Sequence, residues 1–374
     1  MYKLSNATAK GRSNTAGCIK LAVFFLVCLI VFCACPLNAS DSNATRFPFV
    51  KDGRLYVFMP EETSPSTKAY DIFGASNGYA QRAVCASKKN GFVLAWNSKT
   101  QYLYHVNLNA YASSKVKLGG SIAYVNKKYV LVQSNSFAEN KGFSFTLYSI
   151  KYSWNNKKIS LKKIWGGNID CFVSDCFFTS EGVCISGGTQ DNSKNNVFYI
   201  TGNGIHKCFS TAKNSDFLRL INCGTQVYGF LSGREKTYAQ PVIYKFTLDN
   251  YIEGSDSQSQ ISLKNDPLLP QDYECFFGYG FVTSAVVEPV EGGETTSPKL
   301  ILPASINGLI SFIVYDTVTN KISTVTTDAV GCSVPLGQTS DGFYYIARDP
   351  TIEDSWYGIA LFDGNTCKKI KKIQ

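Results

Sequence analysis

CSVPLGQTSDGFYYIARDPTIEDSWYGIALFDGNTCKKIKKI, residues 332–373, reads as four strands joined by two tight turns and one longer loop. Cys332 to Gln338 is the first strand, and Asp341-Gly342 turns the chain into Phe343 to Ala347. A polar loop from Arg348 to Ser355 leads to the third strand, Trp356 to Phe362. Asp363-Gly364-Asn365 then turns it into the fourth, Lys368 to Ile373. Asp-Gly between apolar runs is a hairpin signal with a mechanism, because glycine takes the positive φ that a two-residue turn requires.

The same paragraph recurs upstream at intervals of roughly 48 residues, a period that suits a four-stranded unit repeated radially. With strands lettered a to d from the inside outward, a–b turns fall at Asp52-Gly53, Asn90-Gly91, Asn126-Lys127, Glu181-Gly182 and Gly224-Thr225. Third strands fall at Ala69 to Phe73, Tyr102 to Leu108, Phe143 to Tyr152, Val197 to Thr201, Val242 to Leu248 and Ile310 to Tyr315. The pattern blurs only before the sixth of these. There Phe281 to Val290, an acidic-glycine loop at Glu291 to Glu294, and Leu300 to Pro303 are the candidates. The chain therefore reads as all-β, a β-propeller of four-stranded antiparallel blades. Counting third strands favours seven blades. Because the first copy lacks a convincing fourth strand, six blades with an N-terminal appendage is the alternative. The composition agrees: 22 Tyr and 25 Phe stand against 2 Met, and aromatic residues suit a pleated, half-buried surface.

The c–d turns carry a nameable likeness. Asp316-Thr317-Val318-Thr319-Asn320-Lys321 and Asp363-Gly364-Asn365-Thr366-Cys367-Lys368 place an Asp at the end of strand c, then Thr, then Lys opening strand d. This resembles the outer turn of the β-propeller repeat superfamily, quinoprotein-like members included, and Asp and Thr side chains are expected to accept from backbone N–H groups there. The resemblance is one of fold. WD, double-glycine kelch and sialidase-type boxes do not occur.

Residues 1–40 are a separate object, and 41–374 form the propeller domain. Lys3, Lys10, Arg12 and Lys20 precede an apolar run, Leu21 to Cys35, that Pro36 stops. This is the pattern of an export segment with an apolar helix. It is shorter than the roughly 20 residues that a spanning helix wants. Phe32-Cys33-Ala34-Cys35 resembles a relaxed bacterial lipobox, which would make Cys35 the site of lipid attachment. Cleavage near Ala39 or Ser40, and retention as an uncleaved anchor, are the other fates. All three put the rest of the chain outside the cytoplasm, at the cell envelope or secreted, with the membrane met only through the N-terminus. Net charge is +9, of which the leader supplies the four cations just named. The remaining excess is mild, and nucleic acid is not an expected partner. The basic tail Lys368-Lys369-Ile370-Lys371-Lys372 alternates like an edge strand guarded by lysine.

Nine cysteines follow the leader, at 85, 171, 176, 184, 208, 223, 275, 332 and 367, and an odd number cannot all pair within one chain. Most sit in apolar runs, as small buried hydrophobes do. His105 and His206 are the only histidines and adjoin strand sequence. No metal and no cofactor is expected.

In a propeller the a–b and c–d turns share one face, and the b–c loops and d–a crossovers share the other. The tight turns here fall on the first face, the long polar loops on the second. Insertions on one face of a repeat array often build its binding surface. Arg234, Glu235, Lys236, Tyr238, Arg348 and Asp349 combine charge with an aromatic ring in those loops and are the candidate ligand-binding residues. Inner-strand polar residues that could serve catalysis are Arg82, Asp170, Asp175, Arg219 and Glu274, with Asp170 and Asp175 as a possible carboxylate pair. Local structural roles compete with each of these. The expected function is a monomeric, non-enzymatic propeller that binds a protein or glycan at the envelope. An outer-membrane assembly scaffold of the quinoprotein-like kind, and a glycoside hydrolase or lyase, are the alternatives.

Overall fold

The computed structural model describes residues 45–374 apart from 61–65, 71–77, 88–89, 98, 109–111, 121, 139–141, 154–157, 190–193, 212–216, 224, 233–241, 254–259, 263–272, 275–284, 288–298, 307–308, 318, 327–330, 340, 349–356, 364–365 and 374. Among the described residues every regular element is a strand, and no helix is long and apolar enough to cross a membrane. The N-terminal export helix and Cys35 lie outside them.

The strands follow one another sheet by sheet. β1 (Phe47–Lys51), β2 (Arg54–Met59) and β3 (Ser66–Tyr70) form a three-stranded sheet. β4 (Gly78–Ser87), β5 (Asn90–Asn97), β6 (Thr100–Asn107) and β7 (Ala112–Lys117) form the next. β8 (Ile122–Val125), β9 (Tyr129–Ala138), β10 (Gly142–Ser153) and β11 (Lys158–Ile169) form the third. The fourth is β12 (Phe172–Phe178), β13 (Gly182–Gly188), β14 (Asn195–Thr201) and β15 (Gly204–Ser210). The fifth begins with β16 (Phe217–Cys223), β17 (Gln226–Ser232) and β18 (Val242–Phe246). The chain then detours. β19 (Ile252–Glu253) adds in parallel to β15, on the outer edge of the preceding sheet, before β20 (Gln260–Ser262) returns to pair with β18. In the sixth sheet β21 (Tyr273–Glu274) and β22 (Ala285–Val287) both pair with β23 (Lys299–Ile306), followed by β24 (Leu309–Asp316) and β25 (Ile322–Thr326). Because β24 pairs with β23 along its whole length, β21 and β22 share the other side of β23 as an interrupted inner strand. The last sheet is β26 (Gly331–Thr339), β27 (Gly342–Arg348), β28 (Tyr357–Phe362) and β29 (Cys367–Lys372).

This is a β-propeller. Six of its sheets have the four strands of a complete blade, so the complete blades number six and not the favoured seven. The first sheet, β1–β3, falls one strand short, and its sense corrects the sequence reading further. Ala80 N–H donates to Gly53 C=O at 2.8 Å, which puts the β1–β2 turn beside the beginning of β4. β1 therefore runs opposite to β4, although both occupy inner positions. The cause is parity. A sheet of three antiparallel strands that must end where the next inner strand begins also has its first strand ending there. In sense, β1–β3 match strands b, c and d of a blade, and the Asp52-Gly53 turn sits on the b–c face rather than with the a–b turns.

The turn chemistry is local and as expected. Asp52 and Gly53 both take positive φ, 49° and 73°, as a two-residue hairpin requires. Asn126 Oδ1 accepts from the N–H groups of Lys128 (2.8 Å) and Tyr129 (2.7 Å). In the c–d turns, Asp316 Oδ1 accepts from Thr319 N–H at 2.9 Å and Asp363 Oδ1 from Thr366 N–H at 2.7 Å. Lys368, which opens β29, pairs with Asp363 at 3.1 Å. β29 is an outer edge strand with its four lysines exposed, so the basic tail guards an edge.

The core is a set of interfaces between successive sheets. Leu55 and Val57 pack with Ala80, Val93 and Tyr104, and Phe92 and Leu94 with Val125 and Val130. Leu131 and Phe145 pack with Val183 and Ile185, and Cys184 and Phe209 with Leu218 and Phe246. Ile301 and Phe312 pack with Tyr345 and Phe362. Phe47, Phe49 and Phe58 then meet Tyr344, Ile346, Ile359 and Leu361, joining the first sheet to the last. Phe58 is fully buried, 5.3 Å from the Tyr344 ring. Truncating a buried Phe costs about 3–5 kcal/mol. Phe58→Ala is expected to lower the unfolding free energy by that amount in urea denaturation, while removal of the exposed Ile205 side chain changes it by less than about 0.5 kcal/mol.

Candidate functional site

Inner strands of complete blades all begin on the face of the b–c loops and d–a crossovers, around one end of the central channel. Three large apolar side chains stand exposed at those beginnings: Tyr79 near the start of β4 (58%), Ile122 opening β8 (45%) and Phe172 opening β12 (48%). Tyr79 lies against Gly53, whose missing side chain leaves room for the ring. Phe172 meets Phe143 edge-on at 5.1 Å. These three form an apolar rim on consecutive sheets, apart from the exposed Ile205 and Tyr251 of the fourth sheet and its detour.

Just inside the rim lies a polar cluster. The β4–β5 register shifts between Ala80 and Arg82, and such a bulge re-aims the side chain that follows it. The Arg82 guanidinium sits over the Tyr124 ring of β8, 5.1 Å from its centroid, and is close enough to Cys176 of β12 to favour its thiolate. Arg82 thus reaches from the second sheet, past the third, to the fourth. Burial pushes the Cys176 thiol up to about 12, an effect that Arg82 only partly offsets and that neighbouring Asp175 reinforces. At neutral pH it is a protonated thiol and no nucleophile. Burial also raises the Tyr124 phenol, which stays neutral.

Asp175, one residue before Cys176, has another task. Its Oδ1 accepts from Cys176 N–H and its Oδ2 from Leu220 N–H, each at 2.9 Å. Two residues away on the same edge of β16, Leu218 C=O accepts from the hydroxyls of Ser186 and of Ser174, the latter at 3.1 Å. An innermost strand has one edge without a partner strand, and its backbone groups still need hydrogen bonds. Asp175, Ser174 and Ser186 provide them for β16 and fasten the fourth sheet to the fifth. Asp170, by contrast, is exposed in the crossover between β11 and β12. Asp175 accepts from backbone amides of two strands, while Asp170 stands outside the strand that carries Asp175.

The other candidates fall as follows. Arg348 ends β27, opposite Gly331 and Tyr357. Arg234, Glu235, Lys236, Tyr238 and Asp349 lie outside the described residues. Arg219 and Glu274 are placed by backbone alone, in β16 and β21. His105 is buried and stacks on Tyr152 with centroids 4.0 Å apart, and burial lowers its pKa. His206 bonds through Nε2 to Leu248 C=O, beneath the detour that leads to β19. Among the described residues no three His, Cys, Asp or Glu side chains gather as metal ligands. Cys85, Cys171, Cys176, Cys184, Cys208, Cys223 and Cys367 are free thiols, and Cys171, Cys184 and Cys208 are buried. Tyr79, Ile122, Phe172, Tyr124 and Cys176 were not singled out by sequence reasoning. The available signal was a large apolar residue within two positions of a crossover, where a strand side chain has little to cover it.

No protein-family model and no curated protein matches the chain. Solved structures do match in fold. A protein from Lactobacillus plantarum is 13% identical, with TM-score 0.52 over 88% of this chain and 96% of that one. An acylaminoacyl peptidase in complex with Z-Gly-Gly-Phe-chloromethyl ketone is 10% identical, with TM-score 0.49 over 89% of this chain, which spans 53% of the peptidase. Hsv2 of Kluyvelomyces marxianus is 10% identical, with TM-score 0.44 over 87% of this chain and 94% of that one. At these identities the likeness concerns the fold alone.

Removing Asp175 leaves the Leu220 N–H without its carboxylate, a loss of about 1–3 kcal/mol for a buried donor. Asp175→Ala is expected to destabilise the protein by that amount in equilibrium unfolding and Asp175→Asn, which keeps one acceptor, by less. Equal stability of Asp175→Ala and the parent would remove the seam role.

Proposed function

We propose that this chain is a non-enzymatic binding propeller, exported and held at the cell envelope by lipid on Cys35, which captures a protein or glycan on its b–c loop face. The observation that carries the reading is the apolar rim of Tyr79, Ile122 and Phe172, exposed on the face that also bears the long loops. Exposed apolar groups on consecutive elements mark interaction sites more often than single scattered ones do. The rigid sheets beneath the rim hold it in place without ordering cost on binding. Against catalysis stands the chemistry of the inner strands: Asp175 accepts from two backbone amides, Cys176 is protonated, and Asp170 is exposed in a crossover. The loop residues Arg234, Glu235, Lys236, Tyr238, Arg348 and Asp349 extend this surface in the proposal.

Capture from an envelope extract by the immobilised full-length chain tests the face. Ile122→Ser combined with Phe172→Ser is expected to lower capture at least tenfold. Asp341→Lys, an exposed change in the β26–β27 turn on the opposite face, is expected to leave it unaltered. The reverse ranking, or equal capture by all three proteins, overturns the assignment of the face. The anchor has its own check in mass spectrometry of the mature N-terminus. A diacylglyceryl group on Cys35 is the expected result, and an unmodified terminus near Ser40 refutes lipid attachment.

A further inference from the structure

The geometry points to a carboxylate subsite inside the channel mouth: Arg82 receives the free C-terminal carboxylate of an extended peptide segment whose apolar side chains rest on Tyr79, Ile122 and Phe172. This inference rests on the reading of the b–c face as the binding face and names the chemistry of its ligand.

Arg82 is the residue that needs explaining. It is half-buried on an inner strand, and its partners are an aromatic ring and a thiol. Neither partner carries charge, and among the described residues Arg82 forms no ion pair. A guanidinium has five N–H donors in a planar fork, and a thiol sulfur is a weak acceptor for one of them. The Tyr124 ring, 5.1 Å from the guanidinium carbon, supports the cation without consuming its N–H donors, and two parallel N–H···O bonds are the geometry that a carboxylate accepts best. The charge balance also selects the ligand. One guanidinium neutralises one carboxylate, whose two oxygens match the donor fork.

The rim selects the remainder of the ligand. A uronic-acid glycan offers the same carboxylate but buries less apolar surface on Ile122 and Phe172 than aliphatic or aromatic side chains do. Apolar side chains gain from the same contact. Tyr79 and Arg82 lie on one strand, with the arginine farther from its start, so a chain terminus that enters past the rim arrives at the guanidinium with its last side chains still on the rim.

The test uses the full-length chain and a fluorescent pool of hexapeptides made from Ala, Val, Leu, Ile, Phe and Tyr, prepared both as free acids and as C-terminal amides. Fluorescence polarisation is expected to find the acids bound at least tenfold more tightly than the amides. Arg82→Gln is expected to bring the acids to the level of the amides without changing the amides, and Arg82→Lys to fall between, since it retains charge but loses the fork. Unfolding midpoints establish that both variants are folded, and the Lys variant carries the test if the Gln variant is not. Equal affinity of acid and amide, or acid binding indifferent to Arg82, overturns the proposal. So does Arg82-dependent binding of hexagalacturonate by a protein that ignores the peptides. Phe172→Ser separates the two levels. Loss of envelope capture in that variant, with no acid–amide difference in the parent, retains the binding face and removes the carboxylate subsite. Unchanged capture and unchanged peptide binding in that variant remove the face itself.

Discussion

Face-to-face packing of each sheet on the next is the constraint on which everything else depends. A single antiparallel sheet of this composition has apolar side chains on both faces and cannot hide either alone. Stacking hides each face against a neighbour, but a linear stack would leave two greasy ends. The contact of Phe47, Phe49 and Phe58 with Tyr344, Ile346, Ile359 and Leu361 removes those ends by joining the first sheet to the last. The same requirement explains why a sheet of only three strands is tolerated at the start of the chain. What closure needs is a covered face on either side, and three strands with Leu55 and Val57 on one face and Phe58 on the other supply it.

Inner strands are where this arrangement leaves backbone groups unsatisfied, and there the polar residues have found their work. The edge of β16 is served by Asp175, Ser174 and Ser186. Outer edges are managed differently, by lysines along β29 and, on the fourth sheet, by the short parallel strand β19 that lies over β15. Beneath that detour His206 and Cys208 both contact Leu248 C=O. Polar side chains in this ring, Asp175 among them, thus sit where backbone hydrogen-bond partners run out.

Most of the fold was legible because turn chemistry and apolar runs are local. Asp341-Gly342, Glu181-Gly182 and the Asp316 and Asp363 of two c–d turns announced themselves within a few residues, and the third strands fell within a few positions of their observed limits. Three features were not local and were not read. The sense of β1 follows from the number of strands in its sheet, which only the contact between Gly53 and Ala80 reveals. The inner strand of the sixth sheet is split between Tyr273–Glu274 and Ala285–Val287, so no single run marked it. β19 has two residues and pairs outside its own blade. The site divides in the same way. Arg82 and Asp175 could be suspected from charge inside apolar strands. That Arg82 would lie over Tyr124 and reach Cys176 depends on three sheets converging at an axis, and no spacing along the chain encodes it.

The reversed sense of β1 also fixes which pole its first residues occupy. Because its far end lies beside the start of β4, its near end, at Thr45 and Phe47, lies at the opposite pole, among the tight turns. The first strand thus starts at one pole and the last, β29, ends at the other, where Lys51 Nζ donates to Ile373 C=O at 3.5 Å and ties the end of β1 to the end of the final sheet.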